Sequence, residues 1–139
     1  MPISTLHFGS MYANPLAELF VVPATGAAQP TRLPANDPPK CSGMASPGVN
    51  NHWAKWAPGG PGAFEDKSYY WLIFSSNRYG TPPVTAGGAT IQVSQLYATA
   101  IVVGETSMQM FPAIYLWNQS DATLNTTPAW DAFQIPVVQ

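Results

Sequence analysis

Short apolar and aromatic segments, each closed by Gly, Pro, Asn or Ser, recur along the whole chain. Fifteen prolines and eleven glycines leave no window of about 12 residues with helical periodicity. The segments between these breakers are rich in aromatic and β-branched residues, which is typical of strands. The pattern predicts an all-β protein with at most a minor share of helix. Predicted strands lie at 5–9, 18–23, 52–57, 69–75, 94–103, 111–117 and 129–135.

Two predicted strands are apolar at consecutive positions and do not alternate with polar residues, namely 19–22 and 69–74. A sheet with one solvated face would alternate, so these strands are expected to be covered on both faces. The helices that cover both faces of a parallel sheet are missing from the pattern. Antiparallel sheets stacked face to face, as in the blades of a propeller, meet the same demand with strands alone.

Three pairs of similar segments predict an internal repeat. Residues 51–56 match 125–130, 74 positions on, with Asn and Trp five apart in both copies. Residues 6–10 match 72–76 at an offset of 66, and 19–22 match 96–99 at an offset of 77. The pairs keep the same order along the chain. A loop at 82–90, which contains Pro-Pro and Gly-Gly, would explain the growing offset.

The best-matched copy of the repeat carries Trp-Ala-Pro-Gly-Gly at 56–60, Trp-Leu-Ile-Phe-Ser-Ser-Asn-Arg at 71–78 and Gln-Leu-Tyr-Ala at 95–98. This run resembles the TolB-like β-propellers with WD40-like repeats, whose unit runs from a Trp-Ser-Pro-Asp-Gly turn through a Phe-Ser-Ser-Asn-Arg strand end to a Leu-Tyr-Val strand. The Asp of that turn is absent after Pro58, where Gly59 and Gly60 could still reverse the chain.

The resemblance implies a partial β-propeller of antiparallel sheets within one unit, 1–139. It divides the chain into a partial blade at 1–34, a loop at 35–50, a full blade at 51–117 and the start of a further blade at 118–139. It also implies a periplasmic or extracellular location, although the chain has no signal peptide. Two blades cannot close a ring of about four to eight. The chain is therefore expected to be a fragment of a larger propeller, a self-associating unit or, alternatively, a β-sandwich built from the same strands.

Charged residues make up 9% of the chain and hydrophobic residues 46%, with a net charge of −2. This balance favours a chain that presents much of its surface to other protein. Five Lys and Arg residues without a run of like charge provide no footprint for a phosphate backbone, so nucleic acid is excluded as an expected partner. The longest apolar runs are far shorter than the roughly 18 residues of a membrane span.

The sequence offers few groups for catalysis, and we expect no catalytic, metal or cofactor site. His7 and His52 lie in predicted strands without acidic or cysteine neighbours at ligand spacing, which favours core or interface positions. Cys41 is the only cysteine and is interpreted as a loop thiol. The adjacent carboxylates at 65–66 are expected to solvate a hairpin loop, and neither Asp121 nor Asp131 belongs to a calcium-binding loop.

Among the five tryptophans, Trp53 and Trp117 are the candidates for ligand contact, because exposed indole rings can stack on sugars. Trp56 and Trp130 occupy equivalent repeat positions and are expected to be structural. Asn118 and Asn125 each begin a glycosylation sequon, which random occurrence explains. The leading hypothesis is a non-enzymatic propeller module that binds protein. The alternatives are a carbohydrate-binding module and the propeller part of a larger hydrolase.

Overall fold

The computed structural model describes residues 14, 17–24, 29–38, 50–78, 84–86, 89–91, 93–120 and 123–130. Within this part the chain is almost entirely strand and loop, and a 3-10 turn at Pro34–Asn36 is the one helical element. The all-β prediction is confirmed. The strands are β1 (Phe20–Val21), β2 (Thr31–Arg32), β3 (Asn51–Trp56), β4 (Gly62–Phe64), β5 (Lys67–Ser76), β6 (Val84–Ala86), β7 (Ala89–Ile91), β8 (Gln95–Val103), β9 (Met108–Met110) and β10 (Ile114–Tyr115).

The largest sheet has the order β10-β8-β5-β3, with β4 also paired to β5 and β9 also paired to β8. All of its pairings are antiparallel. β3 and β4 lie along successive parts of β5, and β10 and β9 lie along successive parts of β8. The sheet is therefore a four-stranded antiparallel meander in which each edge strand is interrupted. Two further two-stranded sheets are formed by β1-β2 and β6-β7.

Two turns and a β-bulge shape the interrupted edge next to β5. Gly59 and Gly60 have φ values of 84° and 79°, which confirms that they reverse the chain after Pro58. The exposed pair Glu65 and Asp66 forms the two-residue turn between β4 and β5, as predicted for this hairpin loop. In β3 the register shifts between His52 and Lys55, at a bulge that contains Trp53 with a φ of 57°.

Side chains alternate between two faces of the large sheet, and residues opposite each other in antiparallel strands share a face. The front face carries Leu72, Phe74, Tyr97 and Ile101, which belong to the buried core. The back face carries the other set of positions, and its members in the two central strands and in β10 are Tyr69, Trp71, Ile73, Ser75, Leu96, Ala98, Ala100, Val102 and Ile114.

The described residues of 17–37, namely 17–24 and 29–37, are called here the N-terminal layer and pack against the front face. Leu19, Leu33 and Ala35 are at most 7% exposed and complete the core with the front-face side chains. On the back face, Ser75 Oγ donates to Asn125 O at 3.1 Å, so residues 123–130 lie against this end of the sheet. The large sheet thus has the N-terminal layer on its front face and a contact with Asn125 at one end of its back face.

Coverage of the central strands is less complete than predicted. At 72–76 the side chains of both faces are buried, as expected for a strand covered on both sides. At the other end of β5, Tyr70 and Trp71 are 36% and 46% exposed, and Phe20 in β1 is 54% exposed. The expectation of two covered faces is therefore wrong for this half of β5 and for β1, because the outer layers are shorter than the central strands.

Several predicted boundaries also change. The strand predicted at 18–23 shortens to β1 and the one at 111–117 to β10, and residues 129–130 are not in a strand. The predicted loop at 82–90 contains most of the β6-β7 hairpin, whose strands flank the Gly-Gly pair at 87–88. The strand predicted at 5–9 and most of the one at 129–135 lie outside the described residues, as do His7, Cys41, Asp121 and Asp131.

Candidate binding surfaces

Arg78, the last residue of the Phe-Ser-Ser-Asn-Arg run, is buried at the junction of two layers. Its Nη2 donates to Ala35 O at 2.6 Å in the N-terminal layer and to Asn51 Oδ1 at 2.8 Å in β3. Its Nε donates to Ser76 Oγ at 3.0 Å, and the same hydroxyl accepts from Arg78 N at the end of the strand. The guanidinium thus ties the N-terminal layer to the large sheet.

The same guanidinium lies over two aromatic rings of the front face. Its Cζ is 5.3 Å from the centroid of Phe74 and 4.9 Å from that of Tyr97, both within cation-π range. Burial lowers the pKa of Arg78, although an arginine remains charged in proteins. The charge is therefore stabilised mainly by carbonyl and amide oxygens and ring faces, which makes this residue structural.

An asparagine side chain fastens the N-terminal layer internally. Asn36 is fully buried, and its Oδ1 accepts from Leu19 N at 2.7 Å while its Nδ2 donates to Leu19 O at 2.8 Å and to Leu33 O at 2.9 Å. The side-chain amide therefore pairs with Leu19 as a neighbouring strand would. We call this arrangement an amide clip.

A second amide clip fastens the large sheet. Gln119 Oε1 accepts from Leu96 N at 2.7 Å, and its Nε2 donates to Leu96 O at 2.8 Å and to Leu116 O at 2.5 Å. Leu116 N donates to Leu96 O, just as Leu33 N donates to Leu19 O. In both clips the amide residue follows the second leucine by three positions. The two clips are the same structure built twice.

Strand register extends this equivalence. β1 pairs with β2 through Phe20 and Arg32, and β8 pairs with β10 through Tyr97 and Tyr115, at offsets of 77 and 83 residues that match those of the clips. The predicted similarity of 19–22 to 96–99 is therefore a similarity of structure.

The predicted match between 51–56 and 125–130 is retained in part. Asn51 N donates to Ala17 O at 3.0 Å, and Asn125 N donates to Ser94 O at 2.9 Å. Because Ala17 and Ser94 are equivalent at the offset of 77, each asparagine joins the same point of the preceding unit. The structures then diverge, since 51–56 forms β3 whereas 125–130 has no strand. The remaining match, 6–10 with 72–76, has one member outside the described residues.

The exposed half of the back face contains an apolar groove of about 310 Å³. Its described lining residues are aromatic or aliphatic apart from Thr99. Trp71 and Ile114 are 46% and 59% exposed there. Exposed apolar surface of this kind marks contact with another molecule more often than contact with water.

A larger cleft of about 670 Å³ opens between the N-terminal layer and the front face. Trp56 and Tyr70 line this cleft, and their rings pack edge to face with 6.2 Å between the centroids. Trp56 is 49% exposed at this cleft, and its structural role stays a prediction. Trp130 Nε1 donates to Lys55 O at 3.0 Å, which is a structural role as predicted.

The two tryptophans predicted to contact a ligand are not brought together. Trp53 is partly buried in the bulge of β3, whereas Trp117 is 84% exposed in the turn after β10. β3 and β10 are opposite edges of the sheet, three strand spacings or about 14 Å apart. A shared sugar platform is therefore not formed, and ligand contact stays a prediction for each residue separately. In the sequon that begins at Asn125, the side-chain Nδ2 donates hydrogen bonds to Gln95 Oε1 and to Ser120 O.

His52 is buried in β3, as predicted for a core histidine, and is 2% exposed. Burial is the main reason that its pKa lies below the usual 6.5, partly offset by a hydrogen bond to the backbone of Asn50. Among the described residues no group of three or more His, Cys, Asp or Glu side chains is placed to hold a metal ion.

This burial predicts a pH dependence of stability. Because the folded-state pKa is lowered, the unfolded state binds the proton more tightly, and the free energy of unfolding should fall as pH drops below about 6.5. Urea unfolding at pH 8 and pH 5 should show a smaller loss of stability in His52→Gln than in the wild-type chain. An identical loss in both proteins would mean that His52 does not titrate as the structure requires.

Comparison with known proteins adds no relative: no family model, curated protein or solved structure matches the chain. Among the residues that the structure describes, no helix has the length and apolar character needed to cross a membrane. The described residues form an all-β structure of antiparallel sheets with apolar surface exposed on the back face and in the cleft.

The residues that hold the layers together were not singled out from the sequence. Asn36 and Gln119 each follow a leucine by three positions, Leu33 and Leu116, and this spacing recurs at an offset of 83. The recurrence was a detectable signal. No comparable signal in the sequence indicated the role of Arg78, because charged residues are rarely fully buried and its acceptors come from distant segments.

Proposed function

We propose that the chain is a non-enzymatic β-propeller-type module that binds or scaffolds other protein through its exposed sheet faces. The observation that carries this proposal is the repeated unit: two amide clips with the same register, each followed by an asparagine bonded to the start of that unit. Repeated units that pack on one another in a fixed direction are the basis of propellers and of stacked arrays.

The large sheet, from Asn51 to Tyr115, supports the same proposal because it is a four-stranded antiparallel meander. Its limits lie close to those of the blade predicted at 51–117. A blade is covered on both faces by its neighbours, whereas half of the back face is open here. That open half supplies the surface through which we expect the module to bind protein, in the extracytoplasmic setting that the resemblance implies.

Photo-crosslinking tests whether the back face binds polypeptide. A photoreactive phenylalanine replaces Ile114 on the back face or, as the control, Trp117 in the turn outside both faces. We expect the purified chain at rising concentration to form covalent peptide adducts at position 114 well above those at 117, mapped by mass spectrometry. Equal yields at the two positions would contradict protein binding through the back face.

A further inference from the structure

We infer that copies of this chain associate head to tail. In this arrangement the back face of one copy packs on the outer face of the N-terminal layer of the next copy. We define that outer face by Glu18, Phe20 and Arg32. The inference rests on the proposed function and names its partner, a second copy of the chain.

The repeat identifies which surfaces pack together. Leu19 and Val21 of the N-terminal layer contact the front face of the large sheet. Their equivalents at the offset of 77 are Leu96 and Ala98, which point to the back face. The back face of one unit is therefore the surface that packs against the front face of the unit after it.

The outer face of the N-terminal layer is the matching surface. Phe20 is equivalent to Tyr97 and therefore occupies a front-face position of its own unit. Phe20 is 54% exposed, just as Trp71 and Ile114 are exposed on the back face. One chain thus presents a front-type surface and a back-type surface, and neither is fully covered.

Two different complementary surfaces on one chain form a heterologous contact, which produces rings when the rotation closes. The charged groups on the outer face do not oppose this contact. Arg32 is 2.6 Å from Glu18 and 2.8 Å from Asp37, so each charge enters the interface with an ion-pair partner. The hydrogen bond from Arg32 also lowers the pKa of Glu18, which keeps the pair ionised.

Complementation between two surface variants is the decisive experiment. Ile114→Lys disables the back face and Phe20→Glu disables the outer face, while Trp117→Lys is the matched control at a third exposed position. Sedimentation velocity on the full chain measures assembly against concentration. We expect wild type and Trp117→Lys to assemble, and each of the other variants to weaken assembly by roughly tenfold or more.

Mixing Ile114→Lys with Phe20→Glu restores one intact back face and one intact outer face. We expect the mixture to form a one-to-one heterodimer but nothing larger. Circular dichroism confirms that both variants are folded, since both positions are exposed. A monomeric wild type, or a mixture that forms no heterodimer, would overturn the inference. If Phe20→Glu assembles like wild type while Ile114→Lys does not, head-to-tail packing fails but protein binding by the back face stands.

Discussion

Arg78→Met should lower the free energy of unfolding by about 3 kcal/mol. The methionine occupies much of the same volume, but it leaves Ala35 O and Asn51 Oδ1 buried without their donor, and each lost partner costs about 1–3 kcal/mol. It also removes the cation from the rings of Phe74 and Tyr97. Urea unfolding followed by tryptophan fluorescence measures the change.

Arg32→Ala is the matched control in the same part of the molecule. Arg32 makes two ion pairs, yet its side chain is 36% exposed, and exposed pairs contribute at most about 1 kcal/mol. Comparison of the two variants therefore separates the cost of removing a buried arginine from the cost of removing an exposed, ion-paired arginine. Equal losses of stability in Arg78→Met and Arg32→Ala would mean that the buried guanidinium does not join the N-terminal layer to the sheet.

Asn36→Ala should cost about 2 kcal/mol and should loosen the N-terminal layer in particular. The substitution removes the acceptor of Leu19 N and one donor each to Leu19 O and Leu33 O, all within a buried segment. We expect the Leu19 amide to exchange with solvent roughly tenfold faster or more, while amides in β5 and β8 keep most of their protection. Hydrogen exchange by NMR resolves these positions.

Gln119→Ala provides the parallel measurement on the second clip. Here the Leu96 amide should lose protection, because its acceptor is Gln119 Oε1. Asn118→Ala, at the exposed neighbour of Gln119, is the control and should leave the Leu96 amide unchanged. If Gln119→Ala left Leu96 as protected as in wild type, the two clips would not be functional equivalents.

The apolar pattern was sufficient to predict β3, β5 and β8, because β5 and β8 carry runs of aromatic and aliphatic residues and β3 carries two tryptophans, each between clear breakers. It missed the short strands β4 and β9 of the same sheet. It overestimated β1 and β10, whose residues pair over two positions only. Strand length in these outer segments depends on whether a partner strand is present, and this is not encoded locally.

The surfaces were harder to predict than the strands. Consecutive apolar residues at 69–74 were interpreted as a fully covered strand, although Trp71 remains half-exposed. Periodicity indicates which residues avoid water, but it does not distinguish a covering layer in the same chain from one in another molecule. For this reason the sequence did not predict the exposed groove on the back face. The proposal that another copy covers this groove keeps the apolar pattern and changes only the source of the covering layer.

Hydrogen exchange at four backbone amides tests the repeated unit most directly. Leu19 and Leu96 donate to the side-chain amides of the two clips, and Asn51 and Asn125 donate to Ala17 O and Ser94 O. The account predicts protection at all four, with Leu19 and Leu96 losing it only when their own clip is removed. Free exchange at Leu19 and Asn51 in the wild-type chain, beside protection at Leu96 and Asn125, would show that the first unit is not a copy of the second.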